Sequence, residues 1–352
     1  MIQIQAAQTP AYEVRWDLMV VEAVDPDQRH VTDAEDLTDE ERRRVADAAE
    51  LYYVQGLKVE DVGKRMHLSR STVSRMLARA RQHGVVEFVL HRTPDRSSHL
   101  AAQLNQRFGI RTLIADSVDA AQFAARLEVV AEFAARRLAA VVGTNMTIAV
   151  GWGATVEAVS RHLIFSPTRG ARVVQLNGSA SASASNILNA GQLLDRFARA
   201  FSASAHHFPA PAFFDSATTR EAMWQERSIQ RVLGIRRTAD VALFSVGALD
   251  NDVPDHLYRS GYLDAVDLQE LRRDGIVGHI GSVFLRADGT SDGIAINRRS
   301  TGMPLSELRS VRTRILVASG PAKTAAVLAA LRAGAATDLV LDEITAQALL
   351  DA

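Results

Sequence analysis

The sequence predicts a two-part α/β protein: a small basic three-helix module, then a larger domain in which helices cover a mainly parallel sheet. Three observations predict it. Charge is uneven: residues 1–40 hold two arginines against ten acidic residues, whereas 41–92 hold eleven lysines or arginines against six. Between 38 and 84, helix-spaced apolar stripes are separated by short turn signals. Beyond 110, short apolar runs alternate with helical ones, the order of strands and crossover helices in a parallel sheet. The 352 residues suffice for two domains with a sizeable core, and 47% hydrophobic with 23% charged residues is a globular composition.

Residues 1–37 form an acidic leader. "AYEVRWDLMVVEAV" has strand-like content, but the acidic, turn-rich "DPDQRHVTDAEDL" follows, and the leader is read as disordered or loosely attached. It lacks the basic start and unbroken apolar core of a secretory signal. No run of about 18 apolar residues occurs along the chain, so no membrane partner is expected. With no cysteine, disulfides and thiolate metal sites are excluded, which suits a reducing cytoplasm, the expected location.

Residues 38–92 hold the basic module. In "TDEE", Thr38 with Glu41 three residues on forms a capping box, and Val45, Ala48, Ala49 and Tyr52 recur at helical spacing up to Gly56. "KVEDVGKRMHL" gives a second short helix with Val59, Val62 and Met66 on one face. After a turn at Leu68, Ser69 caps a third helix with Val73, Met76, Leu77 and Ala80 inward, stopped by Gly84. "VVEFVLHR" then reads as a strand or ribbon.

The third helix carries the chemistry. A short helix, a tight turn and a second helix rich in Arg and Ser/Thr is the arrangement that enters a DNA major groove. Arg70, Arg75, Arg79 and Arg81 can neutralise phosphates or donate two bonds to guanine. Ser69, Ser71, Thr72 and Ser74 can donate to phosphate oxygens at the helix N-terminus, whose dipole favours anions. A lone basic helix would be read as a solvated face. The preceding helix, turn and following strand together favour double-stranded DNA.

Residues 93–110 form a helical connector with Leu100, Leu104 and Phe108 at four-residue spacing, expected to contribute to self-association. The domain over 111–352 follows. Its expected strands are "RTLIAD", "MTIAVGWG", "ARVVQLNG", "DVALFSVGAL", "VFLRADG", "TRILVASG" and "TDLVLDE". Helices such as "AAQFAARLEVVAEFAARRLAAVV" and "PAKTAAVLAALRAG" lie between them, and "GSASASASN" is read as a small-residue loop. Several strands end in glycine turns. In "TIAVGWGATVEAV", Gly151 and Gly153 let backbone N–H groups approach an anion, and Thr155 adds a hydroxyl. "LFSVGALD" and "LVASGPAKTAAVLAAL" repeat the arrangement. The latter places Lys323 in the first turn of a helix, where the dipole disfavours a cation unless it meets an anion. Loops at the carboxyl ends of parallel strands form the crevice where ligands bind.

"KVEDVGKRMHLSRSTVSRMLARARQHGVVEFVL" resembles the winged helix-turn-helix of SorC-type transcriptional regulators, in which the third helix is the recognition helix. The resemblance continues through "GWGATV", "VVQLNGS", "FPAPAF", "DVALFSVGAL", "DGIVGHIGSVF", "NRRSTGMPLSEL", "VASGPAKTAAVLAAL" and "LDEITAQALL", in the family's order, over about residues 40–352. It implies a Rossmann-like effector domain of the glucosamine-6-phosphate deaminase and ribose-5-phosphate isomerase type. It also implies a sugar, polyol or sugar-phosphate effector, regulation of a carbohydrate or polyol operon, and dimers or tetramers. Carried over by motif, Gly151, Gly153, Thr155, Gly178, Ser179, Gly247, His279 and Lys323 form the effector site. Two departures stand out: Ala154 offers no donor where a polar residue is usual, and His279 stands where "GAVGDI" has aspartate. The lost donor shifts the expectation toward a non-phosphorylated ligand.

The rival reading is a sugar-phosphate isomerase or deaminase-like enzyme fused to a DNA-binding module. A general base needs an orienting partner. His279 has Asp274 five residues before it, and no paired carboxylates stand out, so His279 is read as a pocket or packing residue and no enzyme is expected. Neighbouring His206 and His207 lack a carboxylate at ligand spacing, so neither metal nor cofactor is expected.

Overall fold

In a computed structural model the described residues are 2–3, 38–83, 85–87, 96–116, 123–179, 184–249, 256–259 and 261–352. The leader over 4–37, Gly84 and the ribbon residues 88–92 lie outside them. The chain divides into two compact units, Met1–Thr93 and Pro94–Ala352.

In the first unit β1 (Ile2–Gln3) pairs in parallel with β2 (Val86–Glu87). Helix α1 (Asp39–Ala49) starts at the expected capping box: Glu41 N–H donates to Thr38 Oγ1, and Thr38 N–H donates back to Glu41. It runs into a π-helical turn (Glu50–Val54), and Gly56 leaves it at φ 68°. Helices α2 (Val59–Met66) and α3 (Arg70–Gln82) follow. The three stripes meet in one core: Val45, Ala48 and Ala49 from α1, Val62 from α2, and Val73, Leu77 and Ala80 from α3, closed by Val86. Each buried Val or Leu contributes about 1.5–3 kcal/mol.

The turn between α2 and α3 is fixed by backbone. His67 adopts φ 57°, and Leu68 N–H donates to Gly63 O at 2.8 Å. A Cβ on Gly63 would stand 2.7 Å from Leu68 O, so only glycine allows this approach.

In the second unit, α4 (Arg96–Phe108) precedes β3 (Arg111–Ala115), α5 (Phe123–Val141), β4 (Thr147–Val150), α6 (Ala154–Arg161) and β5 (Arg172–Gln175). Next come α7 (Ala184–Phe201), β6 (Ser204–His206), α8 (Ala217–Met223), α9 (Arg227–Arg237), β7 (Val241–Phe244) and β8 (Val246–Ala248). The chain ends with α10 (His256–Arg259), α11 (Ala265–Arg273), β9 (Ile276–Ile280), β10 (Val283–Arg286), α12 (Leu305–Ser310), β11 (Thr313–Ala318), α13 (Thr324–Arg332), β12 (Asp338–Asp342) and α14 (Glu343–Asp351).

Among the described residues, seven strands form a sheet in the order β3-β12-β11-β7-β4-β5-β6, and every pairing is parallel. Alternation along the strands feeds two cores. Ile148, Val150, Ile315 and Val317 join the α5, α6 and α7 side chains, whereas Ala149, Leu316 and Ala318 join those of α4, α9, α13 and α14. This is the expected mainly parallel sheet with helices on both faces.

Four details differ from the sequence reading. "DVALFSVGAL" is two strands: Ser245 separates β7, in the parallel sheet, from β8, which joins an antiparallel sheet of order β10-β9-β8. "VFLRADG" belongs to that second sheet, with Val283 opposite Ile280. The small-residue loop is shorter than expected, because Ala184 already begins α7, whose later apolar residues Leu193, Leu194, Phe197 and Phe201 are buried. Helix α4 spends Leu100 and Leu104 in its own domain's core, with Phe108 packed beside them, so that stripe is not free for self-association.

Candidate DNA-contacting helix and effector crevice

Helix α3 sorts its residues by face. Val73, Leu77 and Ala80 are buried, while Arg70, Ser71, Ser74 and Arg75 are exposed. Four of the expected contacts are therefore open to solvent. Ser69 is the N-cap: its Oγ accepts from Thr72 N–H at 3.1 Å and lies 2.9 Å from Ser71 Oγ and 2.8 Å from Thr72 Oγ1. The half-buried Thr72 thus serves the cap. Arg79, also half-buried, pairs with Glu41 at 3.5 Å, and Arg81 donates to Tyr53 Oη at 3.5 Å. Arg70 meets Glu60 at 3.2 Å, and Arg75 Nε donates to its own helix at Ser71 O, 3.4 Å away. Hydrogen bonds from Thr38, with help from Arg79, hold the Glu41 carboxyl below the usual carboxylate range.

In the second unit, three strand ends converge. After β4 the chain turns through Gly153, which takes φ 125° with open space where a Cβ would point, and α6 begins without a side-chain cap. Gly151 differs: a Cβ there would meet Phe244 Cβ at 3.5 Å, ordinary contact. Thr155, buried in the first turn of α6, accepts from Lys323 Nζ at 3.0 Å, and Ser245 Oγ at the end of β7 accepts from the same ammonium at 3.4 Å. The lysine sits at the N-cap of α13 behind the Gly320 turn. That turn is anchored from β12: Gly320 N–H donates to Asp342 Oδ2 at 3.1 Å and to Thr345 Oγ1 at 2.8 Å. Two hydroxyl oxygens thus face the cation at this helix start. Ser245 was not singled out in the sequence; its place inside the strand-end motif "LFSVGALD", two residues before Gly247, was the available signal.

The other expected residues sit in the surrounding frame. Gly178 follows β5, where a Cβ would lie 2.3 Å from Ala210 O and 2.5 Å from Pro211 O, so packing requires glycine. Its N–H donates to Thr301 Oγ1, and its carbonyl accepts from Trp152 Nε1 at 3.1 Å. Ser179 Oγ accepts from Gln175, and its carbonyl accepts from Tyr262 Oη at 2.9 Å. Gly247 and His279 face each other across β8 and β9. His279 is buried between the rings of Tyr258 and Phe284, at 5.9 and 5.5 Å. Asp274 caps the C-terminus of α11, before β9 begins, whereas His279 lies near that strand's far end. Among the described residues no group of three His, Cys, Asp or Glu could hold a metal. A further cavity of about 540 Å³ lies between the β10 turn, the start of α12 and the end of α13, lined in part by Arg220, Asp288, Arg309 and Arg332.

Fold and geometry define a class: a helix-turn-helix protein with a separate, doubly covered parallel-sheet domain built to hold a small ligand. Comparisons with known proteins agree. Residues 92–351 match the family described as "Putative sugar-binding domain", and residues 38–89 match the "Homeodomain-like domain". The chain belongs to this family of SorC-type, sugar-binding transcriptional regulators, DNA-binding proteins that respond to a sugar effector. It is 32% identical over 302 residues to the transcriptional regulator LsrR of Klebsiella pneumoniae, covering 85% of this chain and 90% of that one. It is 29% identical over 301 residues to the deoxyribonucleoside regulator of Bacillus subtilis, covering 86% and 95%. Among solved structures, a domain of a "possible sugar-binding transcriptional regulator" from Arthrobacter aurescens TC1 shares 42% identity at a TM-score of 0.69, over 74% of this chain and all of that one. The full-length sorbitol operon regulator SorC from Klebsiella pneumoniae has the same fold at a TM-score of 0.66 and 23% identity, over 89% of this chain and all of that one.

Proposed function

We propose that this chain controls a carbohydrate or polyol catabolic operon, with its operator affinity set by a sugar, polyol or sugar phosphate bound at the carboxyl ends of β4, β7 and β11. The observation that carries the ligand site is the convergence of Thr155, Ser245 and Lys323 behind the glycine turns at 153 and 320. The Lys323 ammonium can exchange a hydroxyl partner for a ligand oxygen, and the open side of Gly153 gives that ligand close access to backbone. Gly151, Gly178, Ser179, Gly247 and His279 shape the surroundings.

Double-stranded DNA is bound through the exposed face of α3. Arg70 and Arg75 supply charge, Ser71 and Ser74 supply hydroxyls, Ser69 and Thr72 hold the helix start, and Arg79 contributes after release from Glu41. One such module makes few contacts, so a cytoplasmic dimer or tetramer carries operator selectivity. The chain regulates and does not turn its effector over. Asp274 belongs to the helix cap before β9, away from the end where His279 lies, which supports this reading.

The test is a thermal-shift screen of sugars, polyols and their phosphates on the wild type and on Lys323→Met. A ligand that binds only the folded state raises its stability by about 2.7 kcal/mol at a hundredfold excess over Kd. The expected result is a shift in the wild type that Lys323→Met loses. An equal shift in both proteins would move the ligand elsewhere, and turnover of the ligand would restore the enzyme reading.

A further inference from the structure

The cavity of about 540 Å³ beside the β10 turn has no part in the functions derived above, yet its volume is that of a small-molecule site. Close packing fixes its walls. The turn after β10 comes down on the end of α13 at Gly289, which takes φ 85°. A Cβ there would stand 2.5 Å from Ala333 N and 2.8 Å from Ala329 O, so only glycine fits. Arg332, the last residue of α13, ties the same joint by donating to Ala287 O at 2.7 Å.

Three arginines line the cavity, and a backbone carbonyl holds each through one nitrogen. Arg220 Nε donates to Ser300 O at 2.6 Å, Arg309 Nη1 to Ala333 O at 3.2 Å, and Arg332 Nη1 to Ala287 O. The Arg220 guanidinium also lies over the Trp224 ring, 4.5 Å from its centre. A guanidinium carries five N–H donors, so one such bond positions it and leaves others for a ligand. Among the described residues none of the three forms an ion pair. Burial lowers the pKa of Arg220 against the opposing charges of Glu221 and Glu307, and Glu307 is shared between Arg236 and Arg237 at 3.7 Å each. Asp288 turns Oδ1 to its own turn, accepting from Thr290 N–H at 2.9 Å and Thr290 Oγ1 at 2.7 Å. Counting Arg286, which donates to Asp292 O at 2.9 Å, four arginines stand here against Asp288 and Asp292, an excess of two positive charges.

We propose that this cavity is a second ligand site, which binds a phosphate group, free or carried by a small metabolite, on Arg220, Arg309 and Arg332. A phosphate group near pH 7 carries about −1.5 to −2 charges, which matches the excess. Its oxygens accept the paired N–H groups of a guanidinium, a geometry that a lysine does not offer. The site is separate from the Lys323 crevice: Lys323 precedes α13 and Arg332 ends it, about 13 Å further along the helix. The inference therefore does not rest on the crevice reading.

The test is calorimetric titration of the full chain, in phosphate-free buffer, with inorganic phosphate, glycerol 3-phosphate and glycerol. Two cavity changes are made, each in the wild type and in Lys323→Met, so that phosphate held by the crevice is told apart. One is Arg309→Gln with Arg332→Gln. The other is Ser306→Asp, which adds a negative charge at an exposed residue of the cavity wall whose hydroxyl makes no hydrogen bond among the described residues. It breaks no contact, so it stays informative if the double change unfolds the domain. The expected result is that both phosphate compounds, but not glycerol, bind Lys323→Met, and that either cavity change weakens them roughly 10-fold or more. Equal affinity for the two compounds would support free phosphate as the ligand, and tighter glycerol 3-phosphate would support a phosphorylated metabolite. No binding to Lys323→Met at about 10 mM ligand, or undiminished affinity in its Ser306→Asp form, would overturn the inference. Phosphate bound only by proteins that keep Lys323 would also overturn it, while leaving the crevice reading in place.

Discussion

Replacing Arg70 and Arg75 together with alanine separates DNA contact from folding. Both side chains are exposed on α3, whereas Val73, Leu77 and Ala80 are buried. The structural cost is small. Arg70 loses a pair with Glu60 in which the side chains are 75% and 51% exposed, a class of contact worth about 0–1 kcal/mol. Arg75 loses a 3.4 Å bond to Ser71 O, and alanine is a good helix former. For a unit of this size, about 1 kcal/mol shifts the melting temperature by roughly 4–8 °C at most. The binding cost is larger. Each neutralised phosphate contributes a slope of about −0.9 to log K against log salt, so two lost contacts flatten the slope by about 1.8. At 0.1 M salt that amounts to roughly 60-fold weaker binding, before any loss of base contacts at about 1–3 kcal/mol each. Fluorescence anisotropy across a salt series, with a thermal melt of each protein, reads both quantities. A folded double variant with unchanged affinity and slope would refute the assignment of α3 to DNA.

The remaining predictions concern single positions. Gly63→Ala should destabilise the DNA-binding unit by about 1–2 kcal/mol, because overpacking against Leu68 O outweighs the gain in helix propensity; chemical denaturation measures it. Gly178→Ala should cost about 3 kcal/mol or more, since both facing atoms are backbone carbonyls, and should show as a lowered Tm of the second unit. Gly153→Asp should abolish the ligand-induced thermal shift while leaving duplex affinity in the absence of ligand unchanged, because the added side chain enters open space beside Thr155. A normal ligand response from that variant would place the ligand away from the glycine turn.

Local signals were the most legible part of this sequence. The Thr38–Glu41 capping box, the Ser69 cap and the apolar stripes of α1, α2 and α3 depend on neighbours within four residues, and all are found. The parallel sheet was legible because buried strands such as Thr147–Val150 and Asp338–Asp342 form apolar runs between helices. What failed depends on partners far away in sequence. Nothing local tells that Val246–Ala248 leaves the parallel sheet to pair with Ile276–Ile280, and β6 is a three-residue edge strand with little pattern of its own. The candidate site shows the same division. The glycine turns at 153 and 320 were visible, whereas the approach of Lys323 to Thr155 and Ser245 joins residues 168 and 78 positions apart. The packing roles of Gly63 and Gly178 likewise exist only once Leu68, Ala210 and Pro211 are in place.

The most direct test of the account couples its two halves. With a sugar, polyol or sugar phosphate found by thermal shift, the affinity of the full chain for operator DNA is measured with and without saturating ligand. The affinity for the ligand is then measured with and without DNA. Linkage predicts that the two ratios are equal, typically 5- to 150-fold, and that Lys323→Met abolishes both. A ligand that binds at the Lys323 crevice yet leaves DNA affinity unchanged would contradict the central claim.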